Sequence, residues 1–217
     1  MLAFFFPGQG SQSPGMGRSI AAAYPEARKT FEAADDALKT SLSKTIFEGT
    51  EEELKQTAVT QPAILTTSVA TLRALRAERP DLRPAFVAGH SLGEWSALVA
   101  VGALDFTDAV RLVQLRGQAM QEAVPVGHGA MAAVVGLDID TVQWACDQAV
   151  GETGDVVAPA NMNAHEQTVI SGAAAAVELA GRLCADKGAK RVMPLAVSAP
   201  FHCPLMHPAA HRLAEAL

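Results

Sequence analysis

The hydrophobic residues of this chain form short apolar runs that are separated by turn residues and helical patterns. One run, at 2–6, ends at a Pro-Gly-Gln-Gly turn, and a second covers 85–88. Short apolar runs between turn signals predict buried strands. Thr60 is a predicted helix N-cap, with Pro62 in the first turn of that helix. The clearest helical patterns in this half of the chain cover 60–79, 92–101 and 107–123.

The pattern changes beyond residue 128, where strand-like runs alternate with two helical patterns. The order is β-α-β-β-α-β, which is typical of a ferredoxin-like unit. We therefore expect an α/β fold with a large α/β-hydrolase-like subdomain that contains a parallel sheet. Residues 1–127 and 198–217 would form it, and 128–197 would be an inserted ferredoxin-like subdomain. The predicted elements of this small subdomain are strands at 129–137, 156–163, 167–171 and 190–197, and helices at 138–150 and 173–187.

Composition and charge exclude several functional classes. The 217 residues are 49% hydrophobic and 18% charged, which is a globular composition. A net charge of −6 argues against a nucleic-acid binder. Apolar runs stay well short of the roughly 18 residues that a membrane span needs, and the N-terminus lacks the basic region of a signal peptide. The three cysteines show no metal-ligand spacing, so we expect reduced thiols in a cytoplasmic protein.

A candidate nucleophile lies between the second predicted strand and the helix that follows it. Gly-His-Ser-Leu-Gly at 89–93 fits the G-x-S-x-G pattern of a nucleophile elbow. The glycines permit a tight turn, which would hold the Ser91 hydroxyl above a helix N-terminus. The backbone donors and the positive dipole end there suit a developing oxyanion. The motif alone is moderately specific, and a chance match in a strand–turn–helix connection is the alternative.

Arg116 is the second candidate, because the helical pattern over 107–123 places it on an apolar face. It follows Ala109 and Val113 and precedes Met120 with helical spacing, whereas Arg111 lies nearly opposite. An inward-facing arginine needs an anion, since an unpaired buried charge is costly. That anion would be either a structural carboxylate of the protein or a carboxylate of a ligand.

Six sequence blocks, taken together, resemble the acyltransferases of fatty-acid and polyketide synthesis. The resemblance is closest to the freestanding malonyl-CoA:acyl carrier protein transacylases. Trp95 stands where this family often has tyrosine, and Phe201 resembles the malonyl-selective form of its block. The blocks are P-G-Q-G-S-Q at 7–12, T-Q-P-A at 60–63, G-H-S-L-G-E-W-S-A-L at 89–98, R-G-Q-A-M at 116–120, A-N-M-N at 160–163 and S-A-P-F-H at 198–202.

The resemblance implies a role for each matching residue. Ser91 would carry the acyl group and His202 would be its base, in a Ser–His dyad. The backbone N–H groups of Gln9 and Leu92 would form the oxyanion hole. Arg116 would bind the malonyl carboxylate, and two further residues would lie near the acyl cleft, as hydrogen-bonding partners or as ordinary helix-start and strand-end residues. These are Gln61 and Asn161.

The implied reaction moves a malonyl group from malonyl-CoA to the phosphopantetheine thiol of acyl carrier protein. It would proceed by a ping-pong route through a malonyl-serine ester, with coenzyme A as part of the substrate and no cofactor or metal. Three alternatives stay open: a polyketide-synthase acyltransferase acting in trans, a serine hydrolase or thioesterase, and a non-catalytic module that docks carrier protein. The lack of an obvious acidic residue between Ser91 and His202 weighs mildly against an ordinary hydrolase triad.

Two further expectations concern the carrier protein and the end of the chain. A basic cluster could attract an acidic carrier protein, although a solvated helix end is an equal alternative. Members of the family continue beyond the position of Leu217, so we expect an incomplete large subdomain with an open sheet edge and an exposed apolar face. The basic cluster consists of Arg182, Lys187, Lys190 and Arg191.

Overall fold

A computed structural model describes residues 1–197 and 199–217, which form two compact units, Met1–Gln118 and Ala119–Leu217. The first unit contains a parallel pair of strands, β1 (Ala3–Phe6) and β2 (Phe86–Gly89), in which Phe6 pairs with Gly89. Both strands agree with the predicted ones to within one residue at each end. The helices around them are α1 (Arg18–Ala23), α2 (Pro25–Leu38), α3 (Leu42–Glu48), α4 (Glu51–Lys55), α5 (Thr57–Glu78), α6 (Gly93–Ala100) and α7 (Phe106–Ala123).

The start of α5 differs from the prediction. This helix begins at Thr57, so Thr60 is not its N-cap and Pro62 lies inside the helix. The Thr60 hydroxyl donates hydrogen bonds to the carbonyl oxygens of Leu54 and Gln56. A side-chain bond of this kind resembles a cap in sequence but occurs within the helix here. The earlier start places three more residues, 57–59, on the helix.

The core of the first unit forms where α2, α5 and α7 pack together. Leu65, Val69 and Val113 are fully buried in it, and Leu92 joins them from the turn before α6. Burying one such aliphatic side chain contributes roughly 1.5–3 kcal/mol. The elbow is thus attached to the main core of its unit. On the two-stranded sheet, by contrast, the side chains of Phe5 and Phe86 are 79% and 63% exposed.

The second unit contains a four-stranded antiparallel sheet with the order β4-β5-β3-β6. Together with two helices it gives the predicted β-α-β-β-α-β order and the ferredoxin-like fold class. Val134, Cys146, Ile170 and Cys184 are fully buried between the helices and one sheet face. The elements are β3 (Gly129–Val135), α8 (Ile139–Thr153), β4 (Val157–Ala164), β5 (Gln167–Ala173), α9 (Ala174–Asp186), β6 (Arg191–Pro194), a 3₁₀ turn (Pro204–Met206) and α10 (His207–Ala214).

A second apolar cluster lies within the same unit. It joins the last turn of α7, at Ala119 and Met120, to Met131 and Val169 of the sheet, and it also contains Phe201. This packing explains why the compact unit begins at Ala119 and includes the segment after β6. The division at 127/128 and the assignment of 198–217 to the large subdomain stay predictions. No helix of the described residues is long and apolar enough to span a lipid bilayer.

Candidate active site

The elbow at 89–93 is a tight turn between β2 and α6, as the sequence predicts. A Cβ atom on Gly89 would overlap the backbone of Gly93, and one on Gly93 would overlap the carbonyl group of Phe6. Glycine is therefore required at both positions by close backbone approach. The amide of His90 donates to the Phe6 carbonyl over 3.2 Å, which joins the elbow to the end of β1. The His90 side chain is exposed, and its structural role stays a prediction.

Ser91 has a left-handed backbone conformation, with φ of 50°. This conformation costs a residue with a Cβ atom roughly 1–2 kcal/mol. Strain of this kind is common in functional residues, where the surrounding structure holds it in place. The half-buried Ser91 side chain precedes α6, whose first turn contains Gly93 and Glu94.

Arg116 lies beside the candidate nucleophile. Its Nη2 donates to Oγ of Ser91 over 3.2 Å, and its Nη1 donates to Oε1 of Gln61 over 2.7 Å. Ala109, Val113 and Met120, which share its predicted face, are buried, and Arg111 is exposed. The helical spacing thus oriented Arg116 correctly, and the structure brings it together with Gln61 and Ser91.

The charge of Arg116 has no carboxylate at ion-pair distance in the part of the chain that the structure describes. Burial lowers the pKa of Arg116 from its ordinary value, and the charge of Glu94 partly offsets this shift. Arginine stays charged at neutral pH even so. A structural carboxylate partner is thereby disfavoured, and a ligand anion fits the guanidinium fork.

The two predicted oxyanion donors lie in different segments, Gln9 in the turn after β1 and Leu92 at the start of α6. Among the described residues, the backbone N–H groups of Gln9 and Leu92 have no hydrogen-bond acceptor. Gln9 follows the Phe6–Pro7 segment that packs against Gly93, and Leu92 precedes α6. Unpaired backbone donors of this kind are suited to a tetrahedral oxyanion. Their joint role in an oxyanion hole stays a prediction.

His202 belongs to the second unit, where it lies between buried Phe201 and buried Cys203. Its backbone is also left-handed, with φ of 59°, and its side chain is exposed. The thiol of Cys203 donates to the carbonyl oxygen of Pro200 over 3.1 Å, which fixes the turn after His202. Ser198, the first residue of the S-A-P-F-H block, lies outside the described residues. The assignment of His202 as the base stays a prediction.

Asn161 is half-buried in β4 and pairs with Val169 directly after a register shift at Pro159. Such bulges redirect side chains and are common beside functional sites. The sequence pattern gave a continuous strand here and did not indicate the bulge. The role of Asn161 near an acyl cleft stays a prediction.

The basic cluster is exposed, but it has more acidic neighbours than the sequence suggested. Arg182 pairs with Glu178 at 2.8 Å, and Lys190 pairs with Glu166 at 3.1 Å. The ammonium of Lys187 lies 4.2 Å from the ring centroid of Trp144. The cluster thus has counter-charges at Glu178 of α9 and at Glu166 of the β4–β5 turn, besides Asp186 in the same stretch. No ion pair or cation–π contact involves Arg191 within the described segments.

Two residues near the site were not singled out from the sequence. Thr57 lies one helical turn before Gln61, and its Oγ1 accepts a hydrogen bond from Nε2 of Gln9 over 3.5 Å. Glu94 contributes the charge that acts on Arg116. The i, i+4 spacing of Thr57 and Gln61 would have indicated a shared helix face if the start of α5 had been placed correctly.

All three cysteines are free and buried. Across 1–197 and 199–217, no group of three or more histidine, cysteine, aspartate or glutamate residues is arranged to hold a metal ion.

Comparison with known proteins supports the resemblance seen in the sequence. Residues 3–217 match the acyl transferase domain family. The chain belongs to the acyl transferase family. A relative from Haemophilus influenzae, named malonyl CoA-acyl carrier protein transacylase, is 53% identical over 216 residues; the match covers 100% of this chain and 69% of the relative.

Solved structures of acyl transferases share the fold described above. The malonyl CoA-acyl carrier protein transacylase of Coxiella burnetii has a TM-score of 0.95 and 48% identity, and the match covers 99% of this chain and 67% of that one. A malonyl-transacylase in complex with a type II polyketide-synthase acyl-carrier protein has a TM-score of 0.93 and 50% identity, with coverage of 99% and 68%. Both the α/β fold class and the enzyme class predicted from the sequence are thereby confirmed.

Proposed function

We propose that this acyltransferase transfers a malonyl group from malonyl-CoA to the phosphopantetheine thiol of an acyl carrier protein. The observation that carries the proposal is the contact between Arg116 Nη2 and Ser91 Oγ. An acyl group on Ser91 would lie beside a guanidinium that lacks a carboxylate partner among the described residues. The names of the relatives agree with this substrate class. A cytoplasmic location belongs to the same proposal.

In the first half-reaction, Ser91 attacks the thioester carbonyl of malonyl-CoA and His202 takes the hydroxyl proton. The oxyanion that forms accepts hydrogen bonds from the N–H groups of Gln9 and Leu92. Collapse of the intermediate breaks the C–S bond, and coenzyme A leaves as a thiol with the proton from His202. The product is a malonyl ester on Ser91.

In the second half-reaction, His202 takes the proton of the phosphopantetheine thiol, and the sulfur attacks the ester carbonyl. The C–O bond to Ser91 breaks, and the serine oxygen recovers the proton from His202. The thioester that was broken is formed again on the carrier protein, so no oxidant, metal or nucleotide is consumed. Coenzyme A enters as part of the substrate and no separate cofactor is used.

Arg116 would provide the selectivity for the malonyl group. A guanidinium binds a carboxylate with two parallel hydrogen bonds, and such charge-assisted pairs are roughly twice as strong as neutral ones. Gln61 accepts a hydrogen bond from Nη1 and Ser91 Oγ accepts one from Nη2, so the guanidinium fork is held beside the serine. An acetyl group offers no charge to this fork, so it would gain nothing from Arg116.

Intact mass spectrometry after mixing with malonyl-CoA tests the proposal. We expect a stable mass gain of one malonyl group, mapped to the peptide that contains Ser91, and loss of this mass when carrier protein is added. Acetyl-CoA should label the enzyme far less. Ser91→Ala should give no label, and label on a cysteine instead would refute the proposal. Rapid release of free malonate without carrier protein would instead indicate the hydrolase alternative.

A further inference from the structure

Helices α5 and α7 approach each other unusually closely at Gly117. A Cβ atom on this buried glycine would lie 2.6 Å from the carbonyl oxygen of Thr57, 2.8 Å from Cα of Ala58 and 2.9 Å from its nitrogen. Real Cβ atoms essentially never lie within 3.0 Å of a nonbonded heavy atom of another residue. All three neighbours are backbone atoms, so no side-chain rotation would relieve the overlap. Any larger residue at 117 must separate the two helices.

Gly117 directly follows Arg116, so this crossing determines how far the arginine must reach. Nη1 of Arg116 donates a hydrogen bond to Oε1 of Gln61 over 2.7 Å, and Gln61 lies one turn along α5 from Thr57. Nη2 reaches Ser91 Oγ over 3.2 Å. The backbone contact and the side-chain contact thus involve the same two turns of α5. Glycine inside a helix is unfavourable relative to alanine, so its presence in α7 requires such a packing reason.

We infer that Gly117 is a positioning residue that sets acyl selectivity by fixing the backbone of α7 against α5 beside Arg116. The inference rests on the proposed function, because it assigns the guanidinium to the malonyl carboxylate. A methyl group at position 117 moves the α7 backbone away from Ala58 and carries the guanidinium off Gln61 and Ser91. Charge-assisted hydrogen bonds depend strongly on distance and angle, so malonyl binding is lost while attack by Ser91 is retained.

Gly117→Ala tests the inference, with Gly151→Ala as the matched control. Gly151 is also a helical glycine, but a Cβ atom there would meet nothing within 4 Å. The rate of acylation of Ser91 is measured for malonyl-CoA and acetyl-CoA with enzyme in excess. A neutral serine-reactive fluorophosphonate gives a third rate that does not depend on a substrate carboxylate. Circular dichroism and a denaturant titration establish that each variant is folded.

For Gly117→Ala we expect the malonyl rate to fall by about 10- to 100-fold, because a misplacement of about 1 Å can have effects of this size. The acetyl and fluorophosphonate rates should stay within about threefold of the unmodified protein, and Gly151→Ala should change none of them. Equal losses for malonyl-CoA and acetyl-CoA would overturn the inference but leave the proposed function standing. If the unmodified protein and Gly151→Ala formed no malonyl-serine, the proposed function itself would fail.

A further variant keeps the inference testable if Gly117→Ala does not fold. Gln61→Met leaves both backbones in place and removes the acceptor that α5 presents to Arg116, so the malonyl-to-acetyl rate ratio should again fall. An unchanged ratio would show that α5 does not position the arginine. Where Gly117→Ala does fold, it should add little to Arg116→Ala, since both act through one guanidinium. Additive losses would contradict a role through Arg116.

Discussion

The guanidinium of Arg116 donates a hydrogen bond from Nη2 to Oγ of Ser91 over 3.2 Å. This bond links helix α7 to the elbow before α6. In a malonyl ester of Ser91 the free carboxylate is separated from the ester carbonyl by a single carbon. A cation that reaches the serine oxygen is therefore within range of that carboxylate. The same cation forms no ion pair with an uncharged acyl group.

Arg116→Ala should reduce malonyl transfer far more than acetyl transfer. Loss of a charge-assisted bidentate pair costs about 2–4 kcal/mol, which is roughly 30- to 1000-fold in rate. The measurement is kcat/KM for both thioesters. Arg111→Ala is the control, because Arg111 is exposed on the same helix and pairs with Asp108. If malonyl and acetyl transfer fell equally in Arg116→Ala, the arginine would have only a structural role.

His202→Ala should slow acylation of Ser91 by about 10²- to 10⁴-fold, the usual contribution of a general base. The variant has no imidazole at this position to take the serine proton, so acylation by malonyl-CoA and by acetyl-CoA should slow alike. His165→Ala, at the exposed β4–β5 turn, serves as control. Acylation of His202→Ala at the rate of the unmodified enzyme would assign the base to another residue.

Charge reversal at Lys190 and Arg191 should raise the KM for carrier protein several-fold at low salt and leave the malonyl-CoA half-reaction unchanged. Charged surfaces of this kind steer association, and salt screens them. We expect Arg191→Glu to have the larger effect, since Lys190 is already paired with Glu166. Reversal of two exposed lysines in the first unit, Lys29 and Lys44, should have no effect. An unchanged KM for carrier protein would exclude the basic cluster as its binding surface.

Stability should decline in alkaline solution partly because of two buried thiols. Burial, with smaller contributions from the charges of Cys184 and Asp147, raises the pKa of Cys146 from 9.0 to about 12, and burial raises that of Cys184 to about 11. Above pH 9 the unfolded chain loses these protons while the folded protein keeps them. The free energy of unfolding therefore falls as pH rises towards 11, by about 1.4 kcal/mol per pH unit for each thiol.

Cys146→Ala should make this decline shallower, as measured by urea titrations between pH 8 and about 11. Val142→Ala is the control, because it removes buried carbon atoms from the same cluster without removing an ionisable group. It should lower stability about equally at each pH. An identical slope in Cys146→Ala and the unmodified protein would show that this thiol does not contribute.

The parts of the fold that depend on local pattern could be predicted from the sequence. The β-α-β-β-α-β unit followed from alternating apolar runs, and the inward direction of Arg116 followed from helical spacing. The start of α5 could not be predicted, because Thr60 lies inside the helix and its hydroxyl donates back to the carbonyl oxygens of Leu54 and Gln56 rather than capping the helix. A sequence does not distinguish these two uses of threonine, since both satisfy nearby carbonyl or amide groups.

Contacts between segments that are distant in the sequence could not be predicted from local patterns. Gln61 was singled out through a family block, but its bond to Arg116 depends on how two helices cross. The reason for Gly117 lies in the same crossing, since its neighbours are the backbone atoms of Thr57 and Ala58. The sequence contains the glycine and does not say what approaches it. Helix-to-helix distance is set by packing, for which one sequence gives no direct signal.

At Ser91, which has a left-handed backbone, stability and activity favour different residues. Glycine would relax the turn, because it lacks the Cβ atom that makes φ of 50° unfavourable. A Ser91→Gly chain would thus gain folding free energy and lose the hydroxyl group that carries the acyl unit in the proposed mechanism. Sequence optimisation that rewards stability alone would remove the serine, as happens when strained functional residues are redesigned. Only selection for turnover would retain an unfavourable residue here. A score based on foldability alone would therefore rate this position as unfavourable, although the residue is explained by function.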